Sequence, residues 1–70
     1  MNLLDAETGV TYTVKEINTD DEDLKGFLLR LGCYGGEPVT VVSRKKKSLV
    51  VAIKDGRYTI DGNIAEAIEI

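Results

Sequence analysis

Histidine and tryptophan are absent from this 70-residue chain, and cysteine and proline occur once each. Without imidazole the chain lacks the commonest general base, the commonest transition-metal ligand and the usual switch near neutral pH. The expectation is a protein with no catalytic residues, no cofactor and no tight site for a metal ion. A lone cysteine, Cys33, cannot close an internal disulfide, and small secreted domains usually carry several. No run of apolar residues is long enough to cross a bilayer; the longest is Leu49-Val50-Val51-Ala52-Ile53. The first residues, Met1-Asn2-Leu3-Leu4-Asp5, lack the basic and then apolar order of a signal peptide. These absences point to a cytoplasmic protein with no direct membrane insertion.

What is present suits one domain spanning residues 1–70. Apolar residues make up 43% and charged residues 30%, the balance of a globular chain rather than a disordered one. Leu3-Leu4 forms an apolar anchor before a turn ending at Gly9. Tyr12 and Val14 alternate with Thr11, Thr13 and Lys15, a first strand that Ile17 breaks with a bulge or bend. Thr19-Asp20-Asp21-Glu22 then reads as a capping box, with Thr19 as the cap and carboxylates at the positive end of a helix. Leu24, Phe27, Leu28 and Leu31 follow as one apolar stripe, and Gly32 stops the helix. The pattern predicts a helix over 20–31, with Phe27 in the core.

Cys33 to Pro38 reads as a loop. Two β-branched strands follow, Val39 to Ser43 and Ser48 to Lys54, with Val39 and Val41 facing inward. The Arg44–Lys47 turn between them leaves its register open: a four-residue loop sets Val42 opposite Leu49, a three-residue loop sets Val41 there. Asp55-Gly56 is a two-residue hairpin signal. It pairs Ile53 with Tyr58 and Val51 with Ile60 on one face, and Ala52 with Thr59 and Lys54 with Arg57 on the other. Gly62 to Glu66 suits a single helical turn, and Ala67, Ile68 and Ile70 a closing strand. The sum is a mostly β fold of five short strands, with one helix between the first and second. Strands this short hide their edges by curling into a small barrel.

These elements resemble the FeoA family over nearly the whole chain. The resemblance rests on Leu3, Leu4 and Gly9; on Tyr12-Thr13-Val14 and Ile17; on Leu28-Leu29-Arg30-Leu31-Gly32; on Gly36 before Val39 and Val41; and on Gly56-Arg57-Tyr58-Thr59-Ile60 with Ala65, Ile68 and Ile70. It implies an SH3-like barrel. It also implies a non-enzymatic cytosolic accessory protein of bacterial ferrous-iron uptake that binds FeoB, the membrane-bound GTP-hydrolysing transporter. The same fold closes some metal-dependent repressors of the diphtheria-toxin-repressor type, so a stand-alone regulatory module is the alternative. Two departures stand out: Cys33-Tyr34-Gly35-Gly36 replaces an apolar residue and a Pro-Gly pair, and Arg44–Lys47 is more basic than the family pattern.

Charge is unevenly spread. Arg44, Lys45, Lys46, Lys47, Lys54 and Arg57 stand against the single acid Asp55, a local +5 in a chain of net −3. With Tyr34, these six form the candidate partner-binding set, suited to an acidic surface; the plainer alternative is a solvated hairpin tip whose lysines discourage edge pairing. Nucleic acid is not the expected partner, given a pI near 4.8 and no aromatics among the lysines. The run Asp20-Asp21-Glu22-Asp23 is explained by helix capping, since successive helical residues point about 100° apart and cannot converge on one ion. Cys33 is expected to be a buried small hydrophobe. A third reading makes the chain a modulator of GTP hydrolysis that supplies an arginine in trans, for which Arg30, Arg44 and Arg57 are the only candidates and the sequence selects none.

Overall fold

A computed structural model describes all residues from Met1 to Ile70. Asn2 starts it by capping a short 3-10 turn, Leu3–Asp5: its Oδ1 accepts from the Leu4 amide at 2.9 Å, and the Asp5 carboxylate accepts in turn from the Asn2 amide. This turn sinks Leu3 completely into the core.

The expected first strand is two strands, β1 (Thr11–Thr13) and β2 (Glu16–Ile17). The cause lies at their junction. The Val14 amide donates to the Glu37 carbonyl at 2.9 Å, while the next amide, Lys15, donates to the Glu69 carbonyl at 2.7 Å. The chain thus changes partners within one residue and passes from one sheet to another. Ile17, the residue that breaks the alternation, pairs with Ile68 in the second sheet.

Helix α1 (Glu22–Leu31) therefore follows the second strand rather than the first. Its cap is Asp21, not Thr19: Asp21 Oδ1 accepts from the Asp23 and Leu24 amides at 2.9 and 3.2 Å. Thr19 acts one step earlier, its hydroxyl accepting from the Asp21 amide at 3.1 Å. Both are capping types, and the carboxylate wins the position nearest the helix's free N–H groups. Gly32 closes the helix as expected, at φ 90° and ψ 14°.

Strands β3 (Pro38–Arg44), β4 (Ser48–Ile53) and β5 (Gly56–Asp61) complete a four-stranded antiparallel sheet in the order β1-β3-β4-β5. The β4–β5 turn is Lys54-Asp55 rather than Asp55-Gly56, with Lys54 at φ 53°. Gly56 opens β5 opposite Ile53, Val51 faces Tyr58 and Leu49 faces Ile60. The register differs by two residues from the one the Asp-Gly signal implies. Because side chains alternate with period two, every residue keeps its face. The like-charge pair of Lys54 with Arg57 does not form: Arg57 faces Ala52. In β3 the extra residue is Val42, a bulge between Val41 and Ser43, so Arg44 meets Leu49 and neither anticipated register holds.

Helix α2 (Gly62–Ala67) is capped by Asp61, which accepts from the Ile64 amide at 2.9 Å, and takes Ala67 from the expected closing strand. β6 (Ile68–Glu69) then pairs antiparallel with β2 as a separate two-stranded ribbon. The fold is mostly β and SH3-like, with six strands and two helices, but its two sheets do not close into one barrel. Val39, Val41, Leu49, Val51, Ile53 and Ile60 line the inner face of the large sheet; Leu3, Val14, Leu28, Ala65 and Ile68 cover it.

Candidate partner-binding surface

Helix α1 buries only Leu28 fully; Leu24 and Leu31 are half-covered. Phe27 is 36% exposed and Leu29 60%, so Phe27 lies at the rim of the stripe and not in the core where the spacing put it. A four-residue apolar stripe on a helix that touches its domain along a single line leaves its edges to solvent. Just past the helix, Tyr34 is 37% exposed. Phe27 and Leu29 flank buried Leu28 on opposite sides of α1, so each offers a partner a separate apolar group.

Lys54 joins this region to the sheet. Its aliphatic stem lies over Gly32, where an added Cβ would come within 2.8 Å of Cδ and Cε. Its ammonium stands 5.4 Å from the Tyr34 ring centroid and 3.4 Å from Glu37 Oε2. Tyr34 first, and then Glu37, favour the charged form and raise the Lys54 pKa. The ring face attracts the cation and the carboxylate neutralises it, so Lys54 acts as a clasp between the β4–β5 turn and the end of α1.

The remaining basic residues are not gathered into one patch. Lys45, Lys46 and Lys47 form the exposed tip between β3 and β4, fixed by a bond from the Lys45 amide to the Ser48 carbonyl at 2.8 Å. Lys54 lies at the other end of β4, roughly 20 Å away at about 3.3 Å per residue over six residues. Arg57 is exposed on β5, near the Lys54 end. Arg44 is held locally, its Nη2 donating to the Leu4 carbonyl at 3.1 Å and also to the Ala6 carbonyl. It ties the N-terminal turn to β3, leaving Arg30 and Arg57 as the arginines whose heads make no such bond.

A polar cleft of about 480 Å³ lies elsewhere, lined by Asn2, Asn18, Asp21, Asn63, Glu66 and Glu69 among others. Its acids are partly engaged, Asp21 as the α1 cap and Glu69 at 3.7 Å from the N-terminal ammonium. The lining comes from distant segments of the chain, which is why no local pattern marks it. No three Cys, Asp or Glu side chains gather with metal-binding geometry, and His is absent. Cys33 is buried, and burial pushes its thiol up to about 11. No helix is long and apolar enough to cross a membrane.

Several solved structures share this fold. A manganese-dependent transcriptional repressor superposes with a TM-score of 0.87 at 23% identity, over 97% of this chain, and this chain spans 39% of the repressor. The FeoA of Stenotrophomonas maltophilia complexed with zinc superposes at 0.85 with 19% identity, over 97% of this chain and 86% of that one. An iron uptake regulatory protein, also a FeoA, gives 0.85 at 16% identity, over 97% and 91% of the two chains. At these identities the likeness is one of fold. No curated protein matches the chain. The FeoA domain model, in contrast, matches from the first residue to the last, residues 1–70, and the chain belongs to the FeoA domain family.

Proposed function

We propose that this chain is a non-catalytic accessory protein of bacterial ferrous-iron uptake, acting in the cytoplasm by docking onto the cytosolic surface of the FeoB transporter. The observation that carries this reading is the match to the FeoA domain along all 70 residues. The surface is consistent with it. Exposed Tyr34 gives an apolar contact beside a fixed cation, Lys54, and the Lys45–Lys47 tip offers a separate positive pole to an acidic partner. The test is capture by the tagged chain from detergent-solubilised membranes of its own organism, with bound proteins identified by mass spectrometry. Enrichment of FeoB over a tag-only control is the expected result; its absence while FeoB is present in the extract would overturn the proposal. The repressor likeness favours a second reading, a stand-alone regulatory module. Capture of a transcription factor in place of the transporter would support that one.

A further inference from the structure

The large sheet has an open edge at β5, and its geometry specifies what can pair there. The direction of each backbone group follows from bonds already described. The Gly9 amide donates to the Val41 carbonyl at 2.8 Å, so Val39 and Val41 turn their backbone groups toward β1. Thr40 then turns toward β4 and meets Ala52. Alternation carries this across: Leu49, Val51 and Ile53 bond to Ile60, Tyr58 and Gly56. The amides and carbonyls of Arg57 and Thr59 and the amide of Asp61 therefore point away from the sheet, with no strand beyond β5 to take them up, while the Asp61 carbonyl, as the cap of α2, starts that helix. Edge strands in soluble proteins are commonly blunted by an inward-pointing charge, a proline or a bulge. β5 has none of these; its sequence is Gly-Arg-Tyr-Thr-Ile-Asp and its pairing with β4 is unbroken.

We propose that β5 pairs antiparallel with β5 of a second copy of this chain about a two-fold axis at Thr59, joining two four-stranded sheets into one of eight. Three features select this partner and register. A two-fold axis at Thr59 sets Thr59 against its own copy and Arg57 against Asp61 of the other copy, which meets the free groups of Thr59 and brings the Asp61 amide to the Arg57 carbonyl. The same register makes two Arg–Asp pairs of opposite charge, one on each side of the axis, on the exposed face of both strands. Asp61 Oδ1 is occupied by the Ile64 amide, which leaves Oδ2 for the incoming guanidinium. On the inner face, half-buried Tyr58 meets the copy's Ile60. The interface is self-complementary, as a two-fold contact must be, and small, so association depends on concentration.

The experiment is sedimentation velocity of the full chain up to about 1 mM, with amide exchange measured at the two ends of that range. A dimer should accumulate with concentration, and the amides of Thr59 and Asp61 should become protected as it does. Thr59→Pro removes an outward donor without touching the β4 ladder and should raise the dissociation constant at least about tenfold. Arg57→Asp sets like charges opposite each other twice and should do the same without any backbone change. Far-UV circular dichroism and melting temperature report whether each variant keeps its fold; Arg57→Asp serves if Thr59→Pro does not. A wild-type chain that stays monomeric throughout would overturn the proposal. So would a dimer in which the Thr59 and Asp61 amides exchange as fast as in the monomer, or one that Arg57→Asp leaves unchanged.

Discussion

Gly32 sits at a φ of 90°, which a side chain adopts only with strain, and the Lys54 stem lies where its Cβ would go. Gly32→Ala should therefore cost about 1–2 kcal/mol in urea unfolding, with no loss of slope. Cys33, the next residue, offers a pH test. Burial raises its pKa from 9.0 to about 11, so the folded state holds the thiol proton more tightly than the unfolded one. The stabilisation is complete below the unfolded value and is lost as pH rises through the folded value. Wild-type stability should fall by about 2 kcal/mol between pH 9 and 11 from this group alone, at 1.36 kcal/mol per pKa unit. The comparison is with Cys33→Ala, whose loss of stability over the same range should be smaller by that amount. Equal slopes would show that the thiol does not report burial. Both residues were legible in the sequence, since a glycine ending an apolar stripe and a cysteine beside it need only local rules.

Elements were legible where their signals were periodic and less so where several residues compete for one position. The α1 stripe and stop are in the sequence; its cap is ambiguous because Thr19 and Asp21 are both good caps two positions apart. In the fold Asp21 serves two amides, while Thr19 serves only the Asp21 amide. Asp21→Ala should thus cost about 1 kcal/mol in thermal or urea unfolding and Thr19→Ala less; the reverse order would restore the threonine as the cap. The hairpin shows the complementary lesson. Asp55-Gly56 is the stronger turn signal, yet Lys54 takes the left-handed position, held by Tyr34 and Glu37, and Gly56 enters the strand. That choice depends on contacts with the segment after α1, which a local reading does not contain. The faces were still right, because a shift of two residues preserves parity. Phe27 failed for a related reason: periodicity says which side of a helix is apolar, not how wide a strip the domain covers.

At the scale of the molecule, the sequence could not show that the first strand divides between two sheets. The division depends on Glu37 and Glu69, far along the chain, each accepting one of two consecutive amides. Nor could it show that six cations close in sequence occupy opposite ends of β4, with Arg44 committed to the Leu4 and Ala6 carbonyls. This arrangement sharpens the docking test. Lys45, Lys46 and Lys47 project from a two-strand support with no ion pair of their own, so they are the cations most able to guide an acidic partner. If the chain docks onto FeoB as proposed, changing all three to Glu should slow that association, and the difference should shrink as salt rises, because the screening length falls from about 10 Å at 0.1 M to about 3 Å at 1 M. Stability should change by no more than about 0.5 kcal/mol per site, as for exposed loop positions. Reversing Lys54 alone should behave differently, since it breaks the clasp with Tyr34 and Glu37 and so lowers stability as well as changing charge. Association rates for wild type and triple variant at low and high salt, with a melt of each, decide the matter. Equal rates at low salt, with both proteins folded, would make the lysine tip a solvated turn and place any docking face elsewhere on the surface.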